Sequence, residues 1–120
     1  YVMIANEIVT LTVQIEDVKA AEIIDDIASL AGIDCLASGR ADISQSVGVP
    51  GQTNHPKVKE MEELIIRKAL EHGKVPVIMA GSKQRIDELS AAGVKAFMAG
   101  DDGEIILKAF KETVRVLKNL

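Results

Sequence analysis

Two acidic residues come just after apolar runs of the sequence and are the first candidates for chemistry. Glu16 ends the run LTVQIE (11–16), and Asp42 stands shortly after the run IDCLASG (33–39). If the two runs are neighbouring parallel strands, their backbones lie about 4.8 Å apart. Two carboxylates at that separation repel each other unless a proton or a cation lies between them.

A hard divalent cation suits such a pair, because its ligands are oxygen atoms and water can fill its other positions. No His or Cys stands beside either acid, which argues against a zinc-type cage. The alternative is that acids after strands only cap the helix that follows, as we expect for Asp17, Asp101 and Asp102. Spacing alone leaves both interpretations of Glu16 and Asp42 open.

The segment around Asp42 favours a ligand site. Gly39 permits a close approach of the backbone to a ligand, and the N–H groups of Ala41 and Asp42 are placed to face an anion such as a carboxylate. The following stretch GVPGQTNHP (48–56) is long and rich in Gly. Long loops of this kind are usually functional or disordered.

The apolar periodicity alternates between strand-like runs and helical stripes, with a long loop expected after residue 39. The predicted strands are 11–16, 33–39, 75–80 and 94–100, and the predicted helices are 17–32, 56–73, 82–93 and a last helix capped by Asp101 or Asp102. Val58, Met61, Ile65 and Ala69 form the apolar stripe of the second helix, which Pro56 opens.

This alternation predicts an α/β fold with parallel strands and right-handed crossovers. Four strand–helix units in 120 residues average 30 residues each (120/4). A typical (β/α)8 barrel uses roughly 31 residues per unit. On these grounds alone, an open four-stranded α/β sandwich is the alternative to the barrel.

Composition argues against several classes of partner. The formal net charge is −4, and the only aromatic residues are Tyr1, Phe97 and Phe110, so we expect no nucleic-acid partner. The apolar runs are far shorter than the roughly 20 residues that span a bilayer, so we expect no membrane partner. The single Cys35 has no partner for an internal disulfide, and we expect it to be a buried thiol in a protein of the reducing cytoplasm.

Three motifs resemble the HpcH/HpaI aldolase family, the metal-dependent (class II) pyruvate aldolases. VQIE (13–16) and GIDCLASGRADISQSVGVPGQTNHPKV (32–58) follow that family's pattern of a strand ending in QIE, then G(V/I)D…GPADLS, then a PG…HP loop. The two acids stand 26 positions apart (42 − 16), as in the family. The resemblance extends from about residue 11 to the C-terminus.

The resemblance implies a TIM barrel, (β/α)8. Residues 1–120 would be its last four β/α units, which form the C-terminal half, so the resemblance also implies that the chain is a fragment. It implies that Glu16 and Asp42 bind Mg²⁺, Mn²⁺ or Co²⁺, which chelates pyruvate as a Lewis acid. The Ala41 and Asp42 amides would hold the pyruvate carboxylate, and Gln14 would line the pocket. The reaction would be reversible aldol cleavage of a 4-hydroxy-2-oxo acid to pyruvate and an aldehyde.

The sequence also departs from this family. Arg40 replaces the usual Pro of GPAD, and it either faces outward in a tolerant loop, meets an anionic substrate tail or alters the bend of the turn. The family's catalytic His–Asp pair and pyruvate-contacting Arg belong to the half barrel that is missing. We expect His55 to order the loop or cap the helix that it precedes, and His72 to interact with a helix dipole.

Two alternatives to the aldolase stay open. Within the same broad family, the citrate lyase β-subunit-like enzymes act on acyl-CoA esters. A non-catalytic α/β module, such as a flavodoxin-like receiver or an assembly domain, would belong to another class.

A half barrel would leave the strands 11–16 and 94–100 with unpaired edges and would leave inner faces uncovered. We therefore expect association with the missing half or a homo-oligomer. The last helix (102–120) suits either exchange with a neighbouring chain or packing on its own chain.

Overall fold

Four strands of the chain form one parallel sheet, in a computed structural model that describes residues 4–118. The strands are β1 (Thr12–Ile15), β2 (Cys35–Ser38), β3 (Val75–Met79) and β4 (Ala96–Met98), and they lie side by side in chain order. Each pairs in parallel with the next along the chain. The predicted strands and their parallel arrangement are therefore confirmed.

Seven helices are described in residues 4–118. They are α1 (Ala5–Ile8), α2 (Val18–Glu22), α3 (Ile24–Ser29), α4 (Arg40–Ser46), α5 (Pro56–Glu71), α6 (Lys83–Ala91) and α7 (Asp102–Lys118). None of them is both long enough and apolar enough to cross a membrane.

Helix α5 packs on the sheet as its apolar stripe predicts. Pro56 stands in its first turn, and the predicted stripe (Val58, Met61, Ile65 and Ala69) is buried in the main core with Ile15 and Leu36. Each large side chain buried in this way contributes about 1.5–3 kcal/mol of transfer free energy. The helix ends before Gly73, whose φ of +67° a residue with a side chain rarely adopts.

The helix predicted over 17–32 is two shorter helices instead. The backbone breaks at Ile23, which is exposed, and α3 then buries Ile24 and Ala28. Whereas the predicted helix extends to Gly32, helix α3 ends at Ser29. Its end is fixed by a distant residue, since Lys74 Nζ donates to the carbonyl oxygens of Leu30 at 2.9 Å and Ile33 at 2.7 Å.

The segment after β2 also differs from the prediction, because the expected loop begins with helix α4. Ser44 fixes this helix through its hydroxyl, which donates to the carbonyl of Ala41 at 2.6 Å and accepts from the N–H of Gly51 at 3.0 Å. Ile43, on the same helix, is fully buried. The irregular loop is thus confined to residues 47–55, between α4 and α5.

The two faces of the sheet are covered unequally. On β3, Pro76 and Ile78 are buried, while Val75 and Met79 on the opposite face are exposed. Asp101 caps helix α7, since its Oδ1 accepts from the N–H of Glu104 at 2.8 Å. Helix α7 buries none of its residues against the rest of the described chain. Packing of α7 on its own chain, one of the two arrangements expected, is not observed in the described part, residues 102–118.

Candidate active site at the carboxyl edge of the sheet

Glu16 and Asp42 lie on neighbouring units at the same edge of the sheet. Ile15 of β1 and Ser38 of β2 are aligned partners in the sheet. Glu16 and Gly39 are the residues that directly follow them. Asp42 lies three residues later, in the first turn of α4. Ligands of parallel α/β folds bind at this edge, because the strand-to-helix turns gather there.

The carboxylate of Glu16 lies against the backbone of Gly39. A Cβ added to Gly39 would lie 3.0 Å from Glu16 Oε2, 3.3 Å from Glu16 Cβ and 2.5 Å from Gln14 Nε2. Gln14 Nε2 donates to Glu16 Oε2 at 2.7 Å. Gly39 thus makes a close approach to these two side chains, which brings Gln14 and Glu16 to the start of the turn that carries Asp42.

The first turn of α4 presents free N–H groups beside these side chains. The first intrahelical hydrogen bond runs from the N–H of Ile43 to the carbonyl of Gly39 at 2.8 Å, and no side chain caps the helix. The N–H groups of Arg40, Ala41 and Asp42 therefore have no acceptor within residues 4–118. Donors at a helix N-terminus attract anions, so this turn suits the carboxylate of a small ligand.

The oxygen atoms at this edge suit a hard divalent cation. Within the described chain, the Asp42 carboxylate accepts no hydrogen bond, and Glu16 accepts only the one from Gln14. No group of three or more His, Cys, Asp or Glu side chains is arranged to hold a metal ion in residues 4–118. A cation bound by Glu16 and Asp42 would thus complete its coordination with water and ligand oxygens, as Mg²⁺ commonly does.

Arg40 points inward to a buried carboxylate, which corrects the expectation that it faces outward in a tolerant loop. Its guanidinium makes a bidentate pair with Glu62 of α5, with Nε–Oε1 at 2.9 Å and Nη2–Oε2 at 2.5 Å. Arg85 of α6 also donates to Glu62 Oε2. The Ser38 hydroxyl donates to Glu62 Oε1 at 3.1 Å.

Sequence reasoning did not single out Glu62. A signal was nevertheless present, since Glu62 stands four residues after Val58 and three before Ile65, inside the apolar stripe of α5. An acid at such a position is buried only when it is paired.

The two His residues lie at the ends of α5. The Nδ1 atom of His55 accepts from the N–H of Lys57 at 3.3 Å, which confirms the predicted capping role. His72 follows the other end, and its Nε2 lies 2.8 Å from Asp25 Oδ1. Hydrogen bonds from Lys68 and then from His72 hold the pKa of Asp25 below its ordinary value. Cys35 is buried in β2, as predicted.

Comparison with known proteins identifies the family. A sequence model of the HpcH/HpaI aldolase/citrate lyase family matches residues 2–109. The 2-keto-3-deoxy-L-rhamnonate aldolase of Escherichia coli strain K12 is 29% identical over 119 residues, which is 99% of this chain and 45% of that protein.

Solved structures share the fold of this chain. The citrate synthase SbnG superposes with a TM-score of 0.92 at 33% identity, over 98% of this chain and 48% of that one. An HpcH/HpaI aldolase from Desulfitobacterium hafniense DCB-2 superposes with a TM-score of 0.88 at 31% identity, over 99% and 46%.

The chain spans about half the length of the relatives that it matches. The structural relatives are (β/α)8 barrels, and the four parallel strand–helix units of this chain correspond to about half of one. The predicted fold class is therefore confirmed. The chain belongs to the HpcH/HpaI aldolase/citrate lyase family.

Proposed function

We propose that this chain supplies the metal-binding half of a class II aldolase, a carbon–carbon lyase. The reaction is the reversible cleavage of a 4-hydroxy-2-oxo acid to pyruvate and an aldehyde. The observation that carries the proposal is the packing of Glu16 against Gly39, at the start of the same turn that presents Asp42 and three free N–H groups. One turn thereby offers oxygen ligands for a cation and donors for a carboxylate.

Each residue of the candidate site has a role in this proposal. Glu16 and Asp42 hold Mg²⁺, Mn²⁺ or Co²⁺, which when bound supplies Lewis-acid polarisation of the keto group. Gln14 orients Glu16 through the hydrogen bond to its Oε2. The N–H groups of Ala41 and Asp42 bind the carboxylate of the 2-oxo acid, and Gly39 leaves the space that this arrangement needs.

Cleavage also needs a group that this chain does not assign. The C3–C4 bond breaks, the proton of the 4-hydroxyl passes to a base, and C3 takes up a proton to give pyruvate. Both His residues of the chain are engaged at the ends of α5. We therefore propose that the base and an anion-binding Arg come from a complementary half barrel.

Two uncovered apolar surfaces support that association. Val75 and Met79 are exposed on the sheet face turned away from α5, and the stripe of α7 that includes Ile106 and Phe110 is exposed along its length. Apolar surfaces of this extent are commonly covered by a partner. We propose that residues 1–120 act as the C-terminal half of the barrel, with a second half or a second chain covering these faces.

The relatives support the substrate class and also a second candidate. The Escherichia coli relative is named for an aldolase of a 2-keto acid, which supports a 2-oxo acid substrate. The 33% identity with a citrate synthase favours, as the second candidate, carbon–carbon chemistry on citrate-like or acyl-CoA substrates of the citrate lyase type. Turnover of citrate or an acyl-CoA ester, without turnover of 4-hydroxy-2-oxo acids, would favour that candidate.

Mn²⁺ binding to the intact protein that contains this chain tests the proposal. Electron paramagnetic resonance would follow bound Mn²⁺ with and without oxalate, a mimic of the pyruvate enolate. We expect binding, a change of the spectrum with oxalate, and loss of both in Glu16→Gln and Asp42→Asn.

Asp87→Asn is the matched control, because Asp87 pairs with Lys83 on the exposed surface of α6. It should bind Mn²⁺ as the unsubstituted protein does. A folded protein that ignores Mn²⁺, or that keeps full binding in both site variants, would contradict the proposal and favour a non-catalytic module.

A further inference from the structure

Glu62 is a carboxylate buried where the second and third strand–helix units meet. Its residue surface is 1% exposed, although it stands on a helix whose neighbouring acid, Glu63, is open to solvent. A charge buried to this degree loses its hydration and persists only with charged or hydrogen-bonding partners. Glu62 has four donors around its two oxygens, from Ser38, from two atoms of Arg40 and from Arg85.

Two of these partners stand on either side of Gly39. Ser38 is the last residue of β2, and Arg40 is the first residue of α4. Glu62 therefore binds the chain immediately before and immediately after the glycine against which Glu16 packs. The bidentate geometry of Arg40 fixes the direction in which α4 leaves the strand, since planar guanidinium–carboxylate pairs are specific in orientation.

The same guanidinium reaches the loop between α4 and α5. Arg40 Nη1 lies 3.3 Å from Asn54 Oδ1 and 3.5 Å from the carbonyl oxygen of Thr53, to both of which it donates. Arg85 brings α6 into the network from the following unit. The turn that carries Ala41 and Asp42 is thus attached through Glu62 to α5, to α6 and to the loop.

From these contacts we infer that Glu62 and Arg40 are positioning residues of the candidate site, which hold the Gly39–Asp42 turn against Glu16. The inference rests on the proposed function. Neither side chain is a ligand in this arrangement, because Arg40 points from the turn towards α5 and the oxygens of Glu62, on α5, are taken up by their four donors. Displacement of about 1 Å at a reacting centre can cost about a hundredfold in rate, so a shifted turn has a large effect.

The test separates positioning from general stability. In the intact protein at 25 °C, Mn²⁺ dissociation constants and oxalate spectra would be measured for Arg40→Met and Glu62→Gln, together with their melting temperatures. We expect Mn²⁺ to bind at least tenfold more weakly in both variants. Arg67→Met is the matched control, because Arg67 makes an exposed ion pair with Glu71 on the same helix, and it should bind Mn²⁺ within twofold of the unsubstituted protein.

The double variant Arg40→Met/Glu62→Met removes both buried charges together. Well-packed apolar replacements of buried ion pairs often recover stability. A recovered melting temperature with Mn²⁺ binding still at least tenfold weaker supports positioning. Recovery of both, or normal Mn²⁺ binding in folded Arg40→Met and Glu62→Gln, overturns it.

Arg40→Lys decides the matter if the other variants fail to fold, because it keeps the charge and loses the bidentate geometry. Binding at least threefold weaker supports the inference, and binding closer to that of the unsubstituted protein overturns it. Failure of the proposed function is distinguishable, since Asp42→Asn would then leave Mn²⁺ binding intact and remove the ground for both. If Asp42→Asn abolishes binding while the Arg40 and Glu62 variants bind normally, only the positioning role is wrong.

Discussion

At the scale of single residues, Gly39 is the position of the candidate site that least tolerates an added side chain. An added Cβ would lie 2.5 Å from Gln14 Nε2, and the amide end of Gln14 is flexible enough to move away. Glu16 Cβ, at 3.3 Å, is fixed by the backbone and yields less. The glycine therefore matters for where the Glu16 carboxylate lies more than for whether the chain folds.

We predict that Gly39→Ala weakens Mn²⁺ binding at least tenfold and changes the free energy of unfolding by about 1 kcal/mol or less. Isothermal titration with Mn²⁺ and urea unfolding measure the two quantities. Gly32→Ala is the control, because a Cβ there would meet no atom within 4 Å. Equal Mn²⁺ affinity in the two variants would show that the approach at Gly39 is unimportant.

Arg40 offers a second prediction at this scale, since the family resemblance has Pro at its position. Arg40 is the first residue of α4 and its N–H has no acceptor in the described chain, so the backbone accepts Pro. In Arg40→Pro, Glu62 would keep hydrogen bonds only from Ser38 and Arg85. We expect Arg40→Pro to lower the free energy of unfolding by about 3 kcal/mol, as for a broken buried pair.

Adding Glu62→Leu to Arg40→Pro should recover most of that stability, because the buried carboxylate is then gone. Urea unfolding of the single and double variants checks this. A double variant less stable than Arg40→Pro would contradict the assigned pairing.

At the scale of elements, α3 and α5 are joined by an ion-pair cluster on the surface. Lys68 Nζ lies 2.8 Å from Asp25 Oδ1 and 3.1 Å from Glu71 Oε2. The hydrogen bond with Asp25, and then that with Glu71, raises the pKa of Lys68, while Lys68 and His72 lower the pKa of Asp25. Because the folded pKa of Asp25 is lowered, its contribution is complete above about pH 4 and is lost as the pH falls through the folded value.

We therefore predict that Asp25→Asn lowers the free energy of unfolding at neutral pH, and that the difference shrinks below about pH 4. Urea unfolding as a function of pH measures it. A difference that grows towards acid pH would contradict the pairing. Asp26→Asn, the adjacent exposed acid, provides the comparison.

The core under α5 gives a prediction of packing. Ile65 is fully buried and Leu70, on the same helix, is 43% exposed. We expect Ile65→Ala to cost about 2–5 kcal/mol of unfolding free energy and Leu70→Ala much less. Similar losses in the two variants, measured by urea unfolding, would contradict the burial assigned to α5.

How far the elements follow from the sequence depends on which contacts define them. The strands and α5 are predictable because their apolar patterns are local and repeat over many residues. The early end of α3 and the helix α4 are not, because the end of α3 is fixed by the distant Lys74 and α4 by a hydrogen bond to Gly51, outside the helix. At the candidate site, the acids Glu16 and Asp42 are visible as strand-end residues, whereas the role of Arg40 depends on Glu62 and Arg85, which no local pattern connects to it.

At the scale of the whole molecule, the uncovered faces predict association. Helix α7 exposes Phe110 by 66%, and the sheet has open edges at β1 and β4. We expect the 120-residue chain alone, of 12.9 kDa, to sediment as a species larger than a monomer at micromolar concentration. Addition of a complementary half barrel should replace that species with a defined complex, and a stable, well-folded monomer would contradict the expectation.

The order of the strands has a consequence for how the chain reaches its native state during synthesis. Because each strand pairs with the next one along the chain, every unit can add to an edge that already exists, and no early strand has to wait for a distant one. Glu62 then meets Ser38 and Arg40, which have already been synthesised, as soon as α5 forms. Arg85 is synthesised later, with the following unit. The buried carboxylate of Glu62 therefore has a guanidinium beside it at each stage of assembly, first that of Arg40 and then also that of Arg85.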